Sequence, residues 1–308
     1  MALNASLAAA ALAATAVGNP DALAQQGLQQ MAVAAVDMDI VGTRMDAYDR
    51  MTVPVRIGAG GPFAFLIDTG AERTVLSRTV AQQLGLTPTG QATVVGVAGE
   101  QTVDLVDVDE INLGTRSFYG LSAPLLDAEH IGADGIIGLD GLQDQRVLLD
   151  FDHNRMAIGD AASLGGNRGY DIVVQARRRS GQLIMTNADI DGVRTDIIID
   201  TGSDTSIGNR ALQRALARRH QSLTTELMSV TGQAVRADMG VASTFRLGNL
   251  TLTNTLMAFV DAPPFARLGM NRRPAMLLGM NQLRLFHRVA IDFAAKRILF
   301  DLPQSATF

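Results

Sequence analysis

Two aspartates in this 308-residue chain stand in the same local setting. Asp68 opens Asp68-Thr69-Gly70 after the apolar run Phe65-Leu66-Ile67, and Asp200 opens Asp200-Thr201-Gly202 after Ile197-Ile198-Ile199. Each run reads as a buried strand, and each glycine permits a sharp turn and close backbone approach. The pattern therefore places a carboxylate at a strand-to-loop junction inside an apolar wall, a costly place for one charge. It suits two carboxyls that share a proton, because adjacent like charges cannot both ionise cheaply. Such a pair can do general acid–base chemistry: the ionised member takes a proton from a water, and the protonated member donates one.

Composition narrows the alternatives. The chain has room for two ordinary domains, and 47 % apolar with 19 % charged residues is a normal globular balance. A net charge of −5 gives no basic surface for nucleic acid. There is no cysteine, which excludes disulfides, thiolate zinc sites and a cysteine nucleophile. The four histidines (His130, His153, His220 and His287) show no metal-ligand spacing.

The elements around the two aspartates recur in order. Met51–Ile57 alternates as a strand, Gly58–Gly61 is a hairpin turn, and Phe63–Ile67 delivers Asp68. Ser77–Leu84 forms a short helix closed by Gly85, and Val94–Val103 is a glycine-tipped hairpin. In the second half, Leu183–Ile190, a turn at Asp191-Gly192 and Thr195–Ile199 deliver Asp200. A helix follows over Asn209–Arg219 with Asn209 as N-cap, then a hairpin tipped at Thr231-Gly232. Asp134–Asp140 is matched by Ala275–Asn281, and Val147–Phe151 by Val289–Phe293. The separation is 132 residues for Asp68 and Asp200, 133 for Gly99 and Gly232, 141 for Gly138 and Gly279, and 142 for Asp150 and Asp292. One net insertion of about eight residues in the second copy, within Val260–Arg273, accounts for the change. Asp160–Tyr170 is rich in Gly, Ala and Asn and reads as the linker. Arg177-Arg178-Arg179 reads as a solvated loop. Asp150 and Asp292 read as structural turn residues.

Ahead of the first copy, residues 1–24 are Ala-rich and apolar, with Ala22-Leu23-Ala24 resembling a cleavage site. They read as a signal peptide and imply a periplasmic or secreted protein. The expected organisation is signal peptide 1–24, leader arm 25–45, first lobe 46–160, linker 161–175 and second lobe 176–303.

Taken together, these features resemble the retropepsin-like aspartic proteases, in a single-chain tandem form of the exported bacterial type. The resemblance covers both lobes, roughly residues 51–300. It implies an all-β bilobal fold with short helices and an active site at the interlobe seam. It implies an aspartic endopeptidase in which Asp68 and Asp200 activate a water that attacks a peptide bond, with no metal or other cofactor. The shared proton is the known behaviour of the aspartic-protease dyad. By the same resemblance Thr69 and Thr201 bond across the seam, and Gly70 and Gly202 let substrate backbone approach. Ala71, Glu72, Ser203 and Asp204 contact the substrate, as do Val97, Gly99, Thr231 and Gly232 in two flaps. The implied partner is a protein or peptide substrate, bound by a monomer with no transmembrane anchor once the signal is removed.

Three expectations are particular to this chain. A hydroxyl near a carboxylate favours its ionised form, so Ser203 predicts that Asp200 is the more acidic partner and Asp68 the more often protonated. Leu139-Asp140 and Met280-Asn281 stand where retroviral enzymes carry an arginine that pairs with the substrate-binding carboxylate, so that arginine is expected to be missing from both lobes. With that arginine absent and the flaps unusual, the alternative is a peptide-binding or sensing protein of this fold that cleaves poorly.

Overall fold

The computed structural model describes residues 39–45, 50–216 and 223–302. The expected signal peptide and most of the leader arm lie outside them.

The first lobe contains β1 (Asp39–Gly42), β2 (Arg44–Met45), β3 (Met51–Ile57), β4 (Gly60–Ile67), β5 (Val75–Ser77), α1 (Arg78–Gln83), β6 (Gly90–Gly96), β7 (Gly99–Leu113), β8 (Arg116–Leu126), α2 (Ala128–Ile131), β9 (Gly135–Ile137), α3 (Leu139–Leu142), β10 (Arg146–Asp150) and β11 (Arg155–Gly159). The second contains β12 (Ile172–Gln175), β13 (Arg177–Arg179), β14 (Gln182–Ile190), β15 (Val193–Ile199), β16 (Ile207–Gly208), α4 (Arg210–Leu216), β17 (Leu223–Met228), β18 (Ala234–Leu247), β19 (Leu250–Phe259), α5 (Pro263–Arg267), β20 (Ala275–Leu278), α6 (Met280–Leu283), β21 (Arg288–Asp292) and β22 (Arg297–Asp301). The fold is all-β and bilobal, as retropepsin-like proteins are.

Each lobe is built on an eight-stranded sheet, and the two orders correspond strand for strand. The first runs β2-β3-β4-β9-β5-β8-β7-β6, the second β13-β14-β15-β20-β16-β19-β18-β17. A repeat in sequence has thus become a repeat in topology. In both, the strand leading to the aspartate pairs in parallel with the strand ending in Ile137 or Leu278. Both leading strands are central, and their last three residues, Phe65–Ile67 and Ile197–Ile199, are buried, which explains these unbroken apolar runs.

The lobes are joined by a third sheet of six strands, in the order β1-β11-β10-β21-β22-β12. Its centre is the antiparallel pair β10–β21, one strand from each lobe, with Leu148 opposite Ala290. This sheet also takes in chain from outside the expected lobes. Part of the leader arm, Asp39–Gly42, is an outer strand of this sheet, and the end of the linker, Ile172–Gln175, is its counterpart at the other edge. Both are four residues long and bond only to strands remote in sequence, so no local pattern announces them. Arg177–Arg179 likewise forms a short edge strand on β14 rather than a loop.

Local chemistry explains the smaller elements. Ser77 Oγ accepts from Val80 N at 3.2 Å to cap α1, and Gly85 takes φ +68° where the chain leaves the helix. Asn209 Oδ1 caps α4 by accepting from Leu212 N at 2.8 Å. The Asp191-Gly192 turn has positive φ at both residues, as a two-residue hairpin needs. In residues 260–274 the second lobe carries α5 and a longer return to its next strand, where the first lobe carries α2 within 127–134.

Candidate active site

Asp68 and Asp200 end their strands side by side at the seam. Each backbone nitrogen is fixed by the parallel neighbour, Asp68 N donating to Ile137 O and Asp200 N to Leu278 O, both at 3.0 Å. The threonines lock the two loops to each other. Thr69 N donates to Thr201 Oγ1 at 3.1 Å and Thr201 N to Thr69 Oγ1 at 3.4 Å. Each hydroxyl donates onward across the seam, Thr69 to Ile199 O at 2.9 Å and Thr201 to Ile67 O at 2.6 Å. Short hydroxyl side chains are needed here because each must accept one bond and donate another inside a buried junction.

The glycines have a reason beyond substrate access. A Cβ on Gly70 would lie 2.9 Å from Asp200 Oδ1, and one on Gly202 would overlap the Asp68 carboxyl. Each tripeptide lacks a side chain at its third position so that the opposite carboxylate can fit.

The two carboxyls face each other across the seam, Asp200 buried and Asp68 half-buried. Burial, followed by the charge of Asp68, pushes Asp200 up to about 8. Burial also raises Asp68, but bonds from Gly70 N at 2.7 Å and Ala71 N at 3.0 Å, together with the charge of Arg50, act in the opposite direction. The Ser203 hydroxyl does not supply the bond expected of it, because Oγ donates to Thr205 O at 2.7 Å, while the charge of Arg50 acts on Asp68.

Downstream of each tripeptide the loop is tied down in the same way. Leu139 N donates to Ala71 O and Met280 N to Ser203 O, both at 2.9 Å. Asp140 accepts from Thr74 N and the Thr74 hydroxyl, and Asn281 from Ser206 N and the Ser206 hydroxyl. Residues 139–140 and 280–281 thus brace the loops rather than supply an arginine.

That arginine comes from elsewhere. Arg267, on α5 of the second lobe, lies 3.2 Å from Glu72 of the first. The longer second-lobe segment that contains α5 thus places a cation beside Glu72. Asp204, the counterpart of Glu72, has no ion pair among the described residues.

The aspartates form the floor of a groove of about 890 Å³. Ala71, Glu72, Ser203, Asp204 and Val97 line it as expected from the sequence. It is roofed by two hairpins. In the first, Gly96 pairs with Gly99 around Val97-Ala98. In the second, Met228 pairs with Ala234, and Ser229 N donates to Gln233 O at 2.8 Å. Three of the expected flap contacts face other groups. Gly99 packs on Gln233, Thr231 bonds Ser229 Oγ at 3.0 Å, and Gly232, with φ +78°, lies against His130 of α2. Gly96, Ser229 and Val230 line the groove in their place. A Cβ on Gly96 would overlap Ser229 Oγ, so the two tips meet over the groove.

Two side chains that motif reading missed hold the tripeptide loops beside the floor. Arg50, just ahead of β3, donates from Nη1 to Gly202 O at 3.2 Å and from Nη2 to Ile131 O. Gln182, at the start of β14, donates from Nε2 to Gly70 O at 2.6 Å. Both are buried, at 7 % and 6 % exposure. They stand equally far ahead of Asp68 and Asp200 in the chain. Extending the repeat alignment toward the N-terminus would have paired them.

A paired, buried carboxyl dyad under two hairpins, on two topologically matching lobes, defines a tandem aspartic-protease architecture. The sequence model of the aspartyl protease family matches residues 53–140 and 186–282, one segment in each lobe. The chain belongs to that family. No curated protein matches the sequence significantly.

Proposed function

We propose that this protein is an aspartic endopeptidase that cleaves an extended peptide held in the groove between the lobes. The observation that carries this reading is the pair of carboxyls brought together at the seam by the crossed threonine bonds and open to a groove large enough for several residues. A water held between the carboxyls loses its proton to the ionised aspartate as it attacks the peptide carbon. The protonated aspartate donates to the carbonyl oxygen. A tetrahedral intermediate forms with no covalent enzyme adduct, and its collapse returns a proton to the leaving amine. The flaps exclude bulk water and close over the backbone. One chain supplies both carboxyls, so the active species is a monomer. Export to the periplasm rests on the Ala-rich segment before Ala22-Leu23-Ala24.

The test is cleavage of a degenerate peptide library from acid to neutral pH by wild type, Asp68→Asn and Asp200→Asn. We expect cleavage by wild type, and a loss of about 10²–10⁴-fold in each variant, the range for removing a general acid or base. Peptides retained but left uncut by all three proteins would assign the groove to binding and reject the endopeptidase reading.

A further inference from the structure

The two tripeptide loops are alike down to their threonine bonds, yet acid–base chemistry needs the two carboxyls to differ. Arg50 and Gln182 supply a difference. They hold equivalent places in the two lobes, and each crosses the seam to the glycine carbonyl of the opposite loop. The geometry is reciprocal, but the charge is not: a guanidinium on one side faces a carboxamide on the other. Arg50 also donates to Ile131 O at the end of α2, the helix whose His130 supports the tip of the second flap.

Neither side chain is an economical way to fill buried space. Gln182 Oε1 is buried without a hydrogen-bond partner among the described residues, an arrangement that costs stability and that a leucine would avoid. Arg50 carries a full charge to a position 7 % exposed. What both residues achieve is a fixed glycine carbonyl beside the opposite carboxyl.

We propose that Arg50 and Gln182 are a reciprocal pair of positioning residues, and that the single positive charge in the pair assigns Asp68 as the base and Asp200 as the acid. The assignment of chemical roles rests on the endopeptidase reading; the order of ionisation does not. A cation near Asp68 stabilises its ionised form, so Asp68 loses its proton first and Asp200 keeps the shared one. Among the described residues the ionisable groups that line the groove beside the dyad are Arg50, Glu72 with Arg267, Arg73, Asp204, Glu129 with His130 on α2, and Glu226. Arg50 is the cation bonded into the tripeptide loops themselves.

The experiment is a site-resolved carboxyl-carbon NMR titration of Asp68 and Asp200 in full-length wild type, Arg50→Gln, Arg50→Lys and Gln182→Leu, beside the pH profile of kcat/KM. In wild type, Asp68 should titrate at lower pH than Asp200. Arg50→Gln keeps a donor for Gly202 O and removes the charge, so the first ionisation should move up by about 1 pH unit, the low end for one nearby opposite charge. The acidic limb of kcat/KM should move with it. Arg50→Lys should retain most of the wild-type order. Gln182→Leu should lower kcat severalfold and leave the limb in place.

Titration of Asp200 before Asp68 in wild type would overturn the proposal without needing any variant to fold. So would an unmoved first ionisation in a folded Arg50→Gln. The expected titration order in a protein that cuts no peptide would uphold the charge assignment and reject the peptidase reading. Efficient cleavage with an unaltered titration in Arg50→Gln would do the reverse.

Discussion

A carboxyl that keeps its proton to about pH 8 records how much the site costs the fold. Asp200 is buried against Asp68, and both effects oppose its ionised form. In the unfolded chain it would titrate near its ordinary 3.8. Between these two values the folded protein holds one proton more than the unfolded chain. By linkage, this group's contribution to stability is complete below about pH 4 and declines as pH rises toward 8. Asp200→Asn does not titrate and has no such decline. The melting temperature of Asp200→Asn minus that of wild type should therefore grow steadily from pH 4 to pH 8. Thermal unfolding across that window measures it, and a constant difference would mean that Asp200 ionises at an ordinary pH. The mutant that abolishes the proposed chemistry should thus be the more stable protein at neutral pH, the trade expected where function requires a strained electrostatic site.

At the scale of elements, the site is assembled from short pieces that the two lobes exchange. The helix α5 belongs to the second lobe but brings Arg267 to Glu72 of the first, at the rim of the groove. The side chains are about half exposed, 50 % and 45 %. Such a pair contributes about 0–1 kcal/mol to folding, so its value lies in the shape and charge of the groove. Arg267→Ala should raise KM severalfold, change kcat little and move stability by less than about 1 kcal/mol. Steady-state kinetics on one peptide, with a melting curve, separate these effects. A fall in kcat with KM unchanged would place Arg267 in the chemistry instead. This element also shows what sequence could and could not reveal. The insertion was visible as a jump in offset, and the tripeptides and flaps were visible because glycine, threonine and aspartate are demanded residue by residue. The partner of Glu72 was not visible, because α5 reaches it only after the lobes face each other. The outer strands β1 and β12 were hidden for the same reason, and Arg50 and Gln182 because equivalent places carry different residue types.

For the whole molecule, the question is what keeps two eight-stranded lobes in the register that the dyad requires. The six-stranded sheet does so by placing β10 of one lobe against β21 of the other. At the end of that pair Arg146 meets Asp292 at 2.6 Å, both side chains 1 % exposed. Arg146 Nε donates to the same carboxylate oxygen at 3.1 Å, and Nη2 also donates to Asn167 Oδ1 at 2.8 Å. A fourth bond, from Nη1, goes to Gly166 O. One buried arginine thus ties together β10 of the first lobe, β21 of the second and the chain that connects the lobes. Removing either member leaves a buried charge without its partner, which costs about 3–5 kcal/mol. Because neither lobe completes the shared sheet alone, that loss should fall on both at once. Asp292→Ala should lower stability by about 3–5 kcal/mol, with wild type and variant each melting in one calorimetric transition. Replacing both charges, as in Arg146→Met with Asp292→Leu, should recover a large part of the loss, since a buried ion pair is worth little more than well-packed apolar groups of similar volume. Two resolved transitions in wild type would show that the lobes fold independently. The dyad would then owe its register to the threonine bonds rather than to the shared sheet.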